Sequence, residues 1–144
     1  MPPPAPADDL QSSEWDVIVV GAGPAGLSVA AECSYHGVPG VLVLEKGETH
    51  NQTVLRYYPD DKRVDAAYRG QEAVCAGVLC FRDTTKAGFL DIVDRMLALY
   101  RFELRTNEGV DSIRRRPQGG FAVSTTGGAV HHSRHVVVAI GRMS

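Results

Sequence analysis

The chain has 144 residues, 44% of them hydrophobic, and a formal net charge of −2. This length supports one domain with a hydrophobic core, but not comfortably two. The small negative charge gives no electrostatic reason to expect nucleic acid or an anionic membrane surface as a partner. No apolar run approaches the roughly 20 residues that cross a bilayer, so we expect a small-molecule ligand and no membrane segment.

Proline and acidic residues dominate the first part of the chain, residues 1–14. This composition predicts a disordered tail, followed by one domain over residues 15–144. A signal peptide would instead have basic residues and an apolar core, so we expect a cytoplasmic protein. The three cysteines support this expectation, because an odd number is unusual in a disulfide-stapled extracellular domain.

A glycine-rich turn between two apolar runs is the main motif, DVIVVGAGPAGLSVAAECSYHGVPGVLVLE, at residues 16–45. Gly21 would let the chain turn sharply off the first strand. Gly23 would leave room for a pyrophosphate, and Gly26 would let the helix pack closely on the strand. The N-terminus of that helix directs unpaired N–H groups and a positive dipole end towards phosphates. The pattern predicts a dinucleotide-binding βαβ unit.

Glu45 ends the second apolar run, about 19 positions after Gly26. A carboxylate about 20 positions after the glycines accepts hydrogen bonds from the adenosine ribose in such units. The same charge would repel a 2′-phosphate, so NADP is a poor candidate for this site. An ordinary βαβ unit without a ligand is the less favoured interpretation, because strand, helix and acid occur in the expected order.

Residues 46–82 show no sustained periodicity, which predicts a long irregular segment over the bound dinucleotide. Four of its side chains could contact the ligand, although surface packing is the favoured interpretation for each: Asn51, Gln52, Tyr57 and Tyr58. Cys75 and Cys80 have the CxxxxC spacing of some redox-active flavoprotein disulfides. Their segment is apolar, however, and small buried thiols are common in such segments. We therefore expect both cysteines to be packing residues.

The second half of the chain predicts one helix and several short strands. Asp83, Thr84 and Thr85 can cap an amphipathic helix of about four turns, whose apolar residues are Phe89, Ile92, Val93, Met96, Leu97 and Tyr100. Short strands are predicted at FELRT, GVDSI, GFAVSTT and AVHH, and a separate buried parallel strand at residues 136–140. His131, His132 and His135 fit an exposed hairpin better than a metal site, because neighbouring strand residues point to opposite faces.

The GAGPAGL turn, the acid at Glu45, the short strands and the closing VVVAIG together resemble the FAD domain of thioredoxin-reductase-type flavoprotein oxidoreductases. The segment EKGETHNQTVLRYYP and the capped helix are most similar to bacillithiol-disulfide-reductase-like proteins. The resemblance implies an α/β fold: a Rossmann-like three-layer FAD-binding domain with a parallel sheet, flanking helices and a small antiparallel β-meander. It covers nearly all of residues 15–141.

By this resemblance the glycine turn binds the FAD pyrophosphate, the acid binds the ribose, and the backbone at Gly109 and Val110 faces the adenine. The closing motif matches an ATG-like motif, with Ile140 in place of the usual threonine. The residues implied in cofactor binding are Gly21, Gly23, Pro24, Ala25, Gly26, Glu45, Lys46, Val110, Ala139 and Gly141. No catalytic acid, base or nucleophile can be assigned.

Two departures from the family concern activity. Ala25 stands where bacillithiol-type members can carry a cysteine, and no Gly-Asp dipeptide follows the closing motif. The chain therefore resembles the first part of an NAD(P)H-dependent flavin oxidoreductase without its NAD(P)H domain, and the rest of that enzyme or a second copy of the chain would be its protein partner. A flavin monooxygenase fragment, an NAD-binding dehydrogenase domain and a non-catalytic nucleotide-binding or interaction module are the alternatives.

Overall fold

The computed structural model describes residues 14–67 and 69–141. The predicted tail lies outside the described residues, except for Glu14, which begins the first strand. The described residues contain eight strands: β1 Glu14–Val20, β2 Val41–Leu44, β3 Arg63–Val64, β4 Thr84–Thr85, β5 Glu103–Arg105, β6 Val110–Arg115, β7 Phe121–Thr125 and β8 Val130–Val138. Six of them form one sheet in the order β5-β2-β1-β8-β7-β6, while β3 and β4 form a small antiparallel pair.

In the same described part of the chain, three helices accompany the strands: α1 Pro24–Tyr35, α2 Gln52–Tyr57 and α3 Lys86–Leu99. The predicted amphipathic helix is confirmed as α3, and the side-chain oxygen of Thr85 caps it by accepting a hydrogen bond from the Gly88 N–H at 3.3 Å. The helix buries Phe89, Val93 and Met96 and exposes its polar face. Its apolar spacing therefore serves the core, as expected for a surface helix.

The alternation of side chains along β1 divides the core between the two faces of the sheet. Val17 and Val19 belong to a cluster that includes residues of α1, α2 and α3, so the helices cover this face. Ile18 and Val20 belong to a second cluster on the opposite face, in which Val123 of β7 also packs. The antiparallel strands thus cover part of the face that the helices leave open. The predicted α/β layering is confirmed.

Strand β8 joins the parallel and antiparallel parts of the sheet. It runs parallel to β1, with Val19 opposite Val137, and antiparallel to β7, with Val123 opposite His131. The prediction of two separate strands here was wrong, because β8 continues without interruption from Val130 to Val138. The parallel pairing of the VVV run is confirmed, but its predicted burial fails at Val138, which is 57% exposed.

The segment predicted to be wholly irregular contains the short helix α2 and strand β3. Val54 of α2 is buried in the core, while Tyr57 is 53% exposed. Lys86 fixes the end of this helix, because its Nζ donates hydrogen bonds to the carbonyl oxygens of Leu55 at 3.0 Å and Tyr58 at 2.9 Å. Among the described residues, no helix is both long and apolar enough to cross a membrane.

Candidate functional site

The turn after β1 requires glycine at two positions. Gly21 has a φ of +104°, and a Cβ there would lie 2.9 Å from the carbonyl carbon of Ala139. At Gly26 a Cβ would overlap the carbonyl oxygen of Gly21 and lie 3.2 Å from the Cγ1 of Val19. These contacts confirm a sharp turn and a closely packed helix, as the motif predicts.

Gly23 differs from these two glycines, because a Cβ at this position would meet no atom within 4 Å. It forms the N-cap of α1 with an extended backbone, and Pro24 occupies the first helical position. Pro24 and Ala25 are exposed. The start of α1 therefore presents open space to a ligand, with first-turn N–H groups that lack partners within the helix.

Glu45 lies directly beside this turn and is only 8% exposed. Its Oε1 accepts a hydrogen bond from the Ala22 N–H at 3.1 Å, and its Oε2 accepts one from the Gly47 N–H at 2.9 Å. An ionised carboxylate has about four acceptor positions, so two remain for hydroxyl groups of a ligand. The structure thus places the predicted acid and the glycine turn in one site.

The loop before β6 lies against the end of β2. The Glu108 N–H donates to the carbonyl oxygen of Glu45 at 2.9 Å, and the Asn107 N–H donates to that of Gly47 at 2.9 Å. A Cβ added at Gly109 would lie 3.3 Å from the Cβ of Lys46. Lys46 is therefore brought next to the backbone of residues 109–110, the segment that the resemblance assigns to the adenine.

The closing motif reaches the same turn from β8. The Ala139 N–H donates to the carbonyl oxygen of Val20 at 2.8 Å, which extends the pairing of β8 with β1. Gly141 follows with a φ of +67°, a left-handed conformation that glycine adopts readily. The predicted site residues from both ends of the described chain therefore meet at the carboxyl ends of β1, β2 and β8, where open α/β sheets bind ligands.

Asn51 is a residue of this site that the sequence interpretation placed wrongly on the surface. It is 1% exposed and has a φ of +55°, and its N–H donates to the carbonyl oxygen of Ala22 at 2.8 Å. Its Nδ2 lies 2.8 Å from Nδ1 of His50, whose Nε2 lies 3.1 Å from Oδ1 of Asp94. Asn51 thus holds the carbonyl oxygen of Ala22, whose N–H is held by Glu45. An Asn at a left-handed position is the signal that could have revealed it.

Cys75 and Cys80 are not buried packing thiols, and that prediction was wrong. Both are exposed and joined by a disulfide, with their Cα atoms 5.2 Å apart. Cys33 is the remaining cysteine and is free. It packs against the core cluster, and its burial, followed by the nearby charge of Glu32, raises the pKa of its thiol. Cys33 is therefore a poor nucleophile.

His131 is buried rather than exposed, which corrects the prediction for the histidine-rich strand. Its side chain lies in β8, and its Nε2 is 3.3 Å from Oε2 of Glu108. His135, in contrast, is exposed. The described residues contain no cluster of three or more His, Cys, Asp or Glu side chains that could hold a metal ion. The His131–Glu108 contact instead links β8 to the loop beside Glu45.

A protein-family model described as pyridine nucleotide-disulphide oxidoreductase matches residues 18–144. The chain belongs to this family. The match includes every element of the site just described, from the glycine turn after β1 to Gly141.

Among the relatives of this chain is the ferredoxin–NADP reductase of Paracidovorax citrulli, strain AAC00-1. The two are 27% identical over 128 residues, which are 89% of this chain and 32% of the relative. A reductase of the same name from Lysinibacillus sphaericus, strain C3-41, is 26% identical over 92% of this chain and 34% of its own length. The chain thus spans about a third of the length of these relatives.

Solved structures with the same fold include two that cover nine-tenths of this chain. The bacillithiol disulfide reductase of Staphylococcus aureus superposes with a TM-score of 0.69 at 20% identity, over 90% of this chain and 39% of that one. OTEMO, solved in complex with FAD and NADP, also gives 0.69, at 24% identity over 92% of this chain and 27% of that one. The predicted Rossmann-like fold is confirmed.

Proposed function

We propose that this chain is the FAD-binding part of an NAD(P)H-dependent flavin oxidoreductase. The observation that carries the proposal is the pairing of an open helix start at Gly23 with a buried carboxylate at Glu45. The Ala22 N–H connects them, because it donates to Oε1 of Glu45 at 3.1 Å. The family and a structural neighbour that contains FAD support this cofactor.

Each predicted site residue has a distinct role in this proposal. Pro24 has no N–H, so the first-turn N–H groups of α1 that bind the pyrophosphate begin with that of Ala25, where the helix dipole favours anions. Glu45 uses its remaining acceptor positions for the ribose hydroxyl groups. The backbone at Val110 and the side chain of Lys46 line the adenine side.

Four of the predicted site residues affect ligand binding by setting the shape of the turn: Gly21, Gly26, Ala139 and Gly141. Gly21 and Gly26 keep the turn tight, while Ala139 and Gly141 bring the end of β8 against it. When bound, FAD supplies two-electron chemistry, accepting hydride from a nicotinamide and passing electrons to a disulfide or another acceptor. The residues of this chain bind and orient the cofactor, and the nicotinamide site belongs to another part of the complete enzyme.

Purification followed by visible absorption spectroscopy tests the proposal. We expect flavin absorption in the purified protein, or flavin uptake seen as fluorescence quenching after FAD is added. Gly23→Val would fill the open space at the start of α1 and abolish uptake. Ala98→Val, on the exposed side of α3, adds bulk away from the site and should leave uptake unchanged. A folded protein that takes up no flavin would refute the FAD site.

Calorimetry with FAD and with NAD separates this proposal from an NAD-binding dehydrogenase domain. We expect tighter binding of FAD, and tighter binding of NAD would overturn the proposal. The monooxygenase alternative has the same fold, as the similarity to a steroid monooxygenase bound to NADP indicates, with a TM-score of 0.69 at 24% identity. Product analysis of the full-length enzyme with NADPH and oxygen distinguishes it, since a monooxygenase inserts oxygen into a substrate and a disulfide reductase does not.

A further protein contact at the end of β8 is part of the proposal. Val138, which ends a strand in the centre of the sheet, is 57% exposed, and Ile140 just beyond it is 49% exposed. Covering them with a second copy of the chain or with another part of the enzyme would bury this apolar surface. Light scattering of the chain should show self-association that Val138→Ser weakens, whereas a monomer at all concentrations would favour a contact within the complete enzyme.

A reducing, cytoplasmic location is also proposed. The free Cys33 and the odd number of cysteines support it, because oxidising compartments favour fully paired cysteines. Fractionation of cells that express the natural protein provides the test. Recovery with a secreted or periplasmic marker would contradict the proposal.

A further inference from the structure

The loop between β5 and β6, residues 106–109, lies beside the acid that would bind the ribose. Its Glu108 N–H donates to the carbonyl oxygen of Glu45 at 2.9 Å, so the loop is attached to that same residue. In adenosine the base is joined directly to the ribose. A base whose ribose lies at Glu45 is therefore within reach of this loop, and the position of the loop decides how well the base fits.

Backbone hydrogen bonds hold the loop on two sides. Towards β2, the Asn107 N–H donates to the carbonyl oxygen of Gly47 at 2.9 Å. Towards the turn between β7 and β8, the carbonyl oxygen of Gly109 accepts a hydrogen bond from the Thr126 N–H at 2.8 Å. The loop thus lies between the end of β2 and the β7–β8 turn, and its position depends on both.

The pairing of β6 with β7 becomes irregular where β6 leaves this loop. Val110 lies opposite Thr125, but the register shifts between Val110 and Ser112. A shift of this kind interrupts the ladder of backbone hydrogen bonds and changes the local direction of the strand. The regular ladder therefore does not by itself fix the backbone beside Glu108, and a side-chain contact can do so.

His131 of β8 supplies such a contact. Its Nε2 lies 3.3 Å from Oε2 of Glu108, and because an ionised carboxylate only accepts hydrogen bonds, Nε2 is the donor. His131 is 8% exposed, whereas the Glu108 side chain is 31% exposed. In the strand pairing His131 lies opposite Val123, which is fully buried. The donor therefore reaches the loop from a buried position on a paired strand.

We propose that His131 is a positioning residue for the adenosine half of the dinucleotide and acts through Glu108. This inference rests on the proposed dinucleotide site. His131 does not touch the ligand: it holds the Glu108 side chain, which keeps residues 106–109 beside Glu45. A loop that is already in place does not have to be ordered when adenosine binds, so affinity is higher. Loss of the contact leaves the loop to its backbone hydrogen bonds alone.

A purely structural role for the pair predicts a different result. Loss of the hydrogen bond should lower the free energy of unfolding whether or not the pair affects the ligand. Only a positioning role also weakens the binding of adenosine by protein that is fully folded. Urea unfolding and ligand titration of the same variants therefore separate the two roles.

Calorimetry with ADP, which is the part that FAD and NAD share, tests the proposal on the folded chain. His131→Leu removes the donor and keeps an apolar side chain beside Val123, and we expect it to raise the Kd of ADP by about tenfold. His131→Gln retains an N–H donor and should bring the Kd back to within about twofold of the natural value. An unchanged Kd in His131→Leu, with circular dichroism showing folded protein, would overturn the proposal.

Glu108→Ala removes the other partner from the solvent side and provides a second variant if His131→Leu does not fold. We expect the same rise in the Kd of ADP, with no further rise in the double variant, because both changes remove one contact. Rises that multiply in the double variant would refute an action through Glu108. His132→Leu is the matched control, since neighbouring side chains of a strand point to opposite faces, and should leave the Kd unchanged.

The choice of ADP also separates this proposal from that of an FAD site. A natural protein that binds ADP and shows the expected effects but takes up no flavin would refute the FAD site and support the role of His131. A natural protein that takes up FAD without binding ADP would overturn the positioning role alone, because the adenosine half would then add no measurable affinity. A protein that binds neither would overturn both.

Discussion

Gly21 and Ala139 are in close backbone contact, although one follows the first strand of the described chain and the other follows the last. A Cβ at Gly21 would lie 2.9 Å from the carbonyl carbon of Ala139 and 3.4 Å from the Cα of Ile140. The N–H of Ala139 is held by the carbonyl oxygen of Val20 at 2.8 Å, so the two segments cannot easily separate. The shape of the glycine turn thus depends on the end of β8.

Alanine at each of the three turn glycines should lower the free energy of unfolding by different amounts. Gly21→Ala would place a Cβ at a position of positive φ and against the backbone of Ala139, and Gly26→Ala would place a Cβ against the carbonyl group of Gly21. Each should therefore lower the free energy of unfolding by ~2–4 kcal/mol. Gly23→Ala has open space and a φ of −81°, so it should change stability by less than about 1 kcal/mol. Urea unfolding measures all three. A large loss at Gly23 alone would contradict the described turn.

Glu45→Gln should weaken both the fold and the proposed FAD site. One carboxylate oxygen becomes an NH₂ group that faces the N–H of either Ala22 or Gly47, which should cost about 1–3 kcal/mol in unfolding free energy. Loss of an acceptor for the ribose should raise the Kd of FAD by about tenfold, which corresponds to roughly 1.4 kcal/mol. Fluorescence titration measures the Kd of FAD. Glu48→Gln, at an exposed position in the loop between β2 and α2, serves as the control. An unchanged Kd would remove Glu45 from the site.

Asn51 allows a test of backbone conformation beside the turn. Glycine tolerates its φ of +55°, whereas alanine does not, so Asn51→Ala should be less stable than Asn51→Gly by about 1 kcal/mol. Both variants keep the N–H that donates to Ala22. Thermal and urea unfolding of the pair provide the comparison. The reverse order of stability would contradict the left-handed conformation at residue 51.

Cys33 should show the reactivity of a thiol with a raised pKa. Iodoacetamide at pH 8 should modify it at least about threefold more slowly than a free cysteine, and unfolding in urea should remove the difference. A raised folded-state pKa means that the neutral thiol is favoured in the fold. Its contribution to stability is therefore present below the pKa of the unfolded thiol and is lost as the pH rises through the higher folded value. Glu32→Gln removes the smaller cause and should speed the reaction slightly.

Local sequence patterns were enough to predict the parts of the site that depend on backbone shape. Gly21, Gly23 and Gly26 each have the surroundings that their spacing indicates, and Glu45 lies beside them. Helix α3 followed from its apolar spacing and its threonine cap. These features are specified by neighbouring residues, so the sequence alone carries the information.

Features that depend on distant residues were missed. The buried position of Asn51 requires the carbonyl oxygen of Ala22, and that of His131 accompanies a contact with Glu108. The pairing of Cys75 with Cys80 depends on a loop conformation that no local period specifies. Polar residues in the middle of β8 concealed its continuity in the sequence. In the structure, β7 pairs with residues 130–133 of this strand, and β1 pairs with it as far as Val138.

The position of β8 between β1 and β7 has a consequence for folding kinetics. The pairing of Val20 with Val138 joins residues near the two ends of the described chain, and β1 with β8 forms the longest parallel ladder of the sheet. Such a pairing must overcome the loop-closure entropy of almost the whole domain before it contributes any stability. We therefore expect refolding to be slow, with the hairpin of β6 and β7 gaining protection from amide exchange before β1 does.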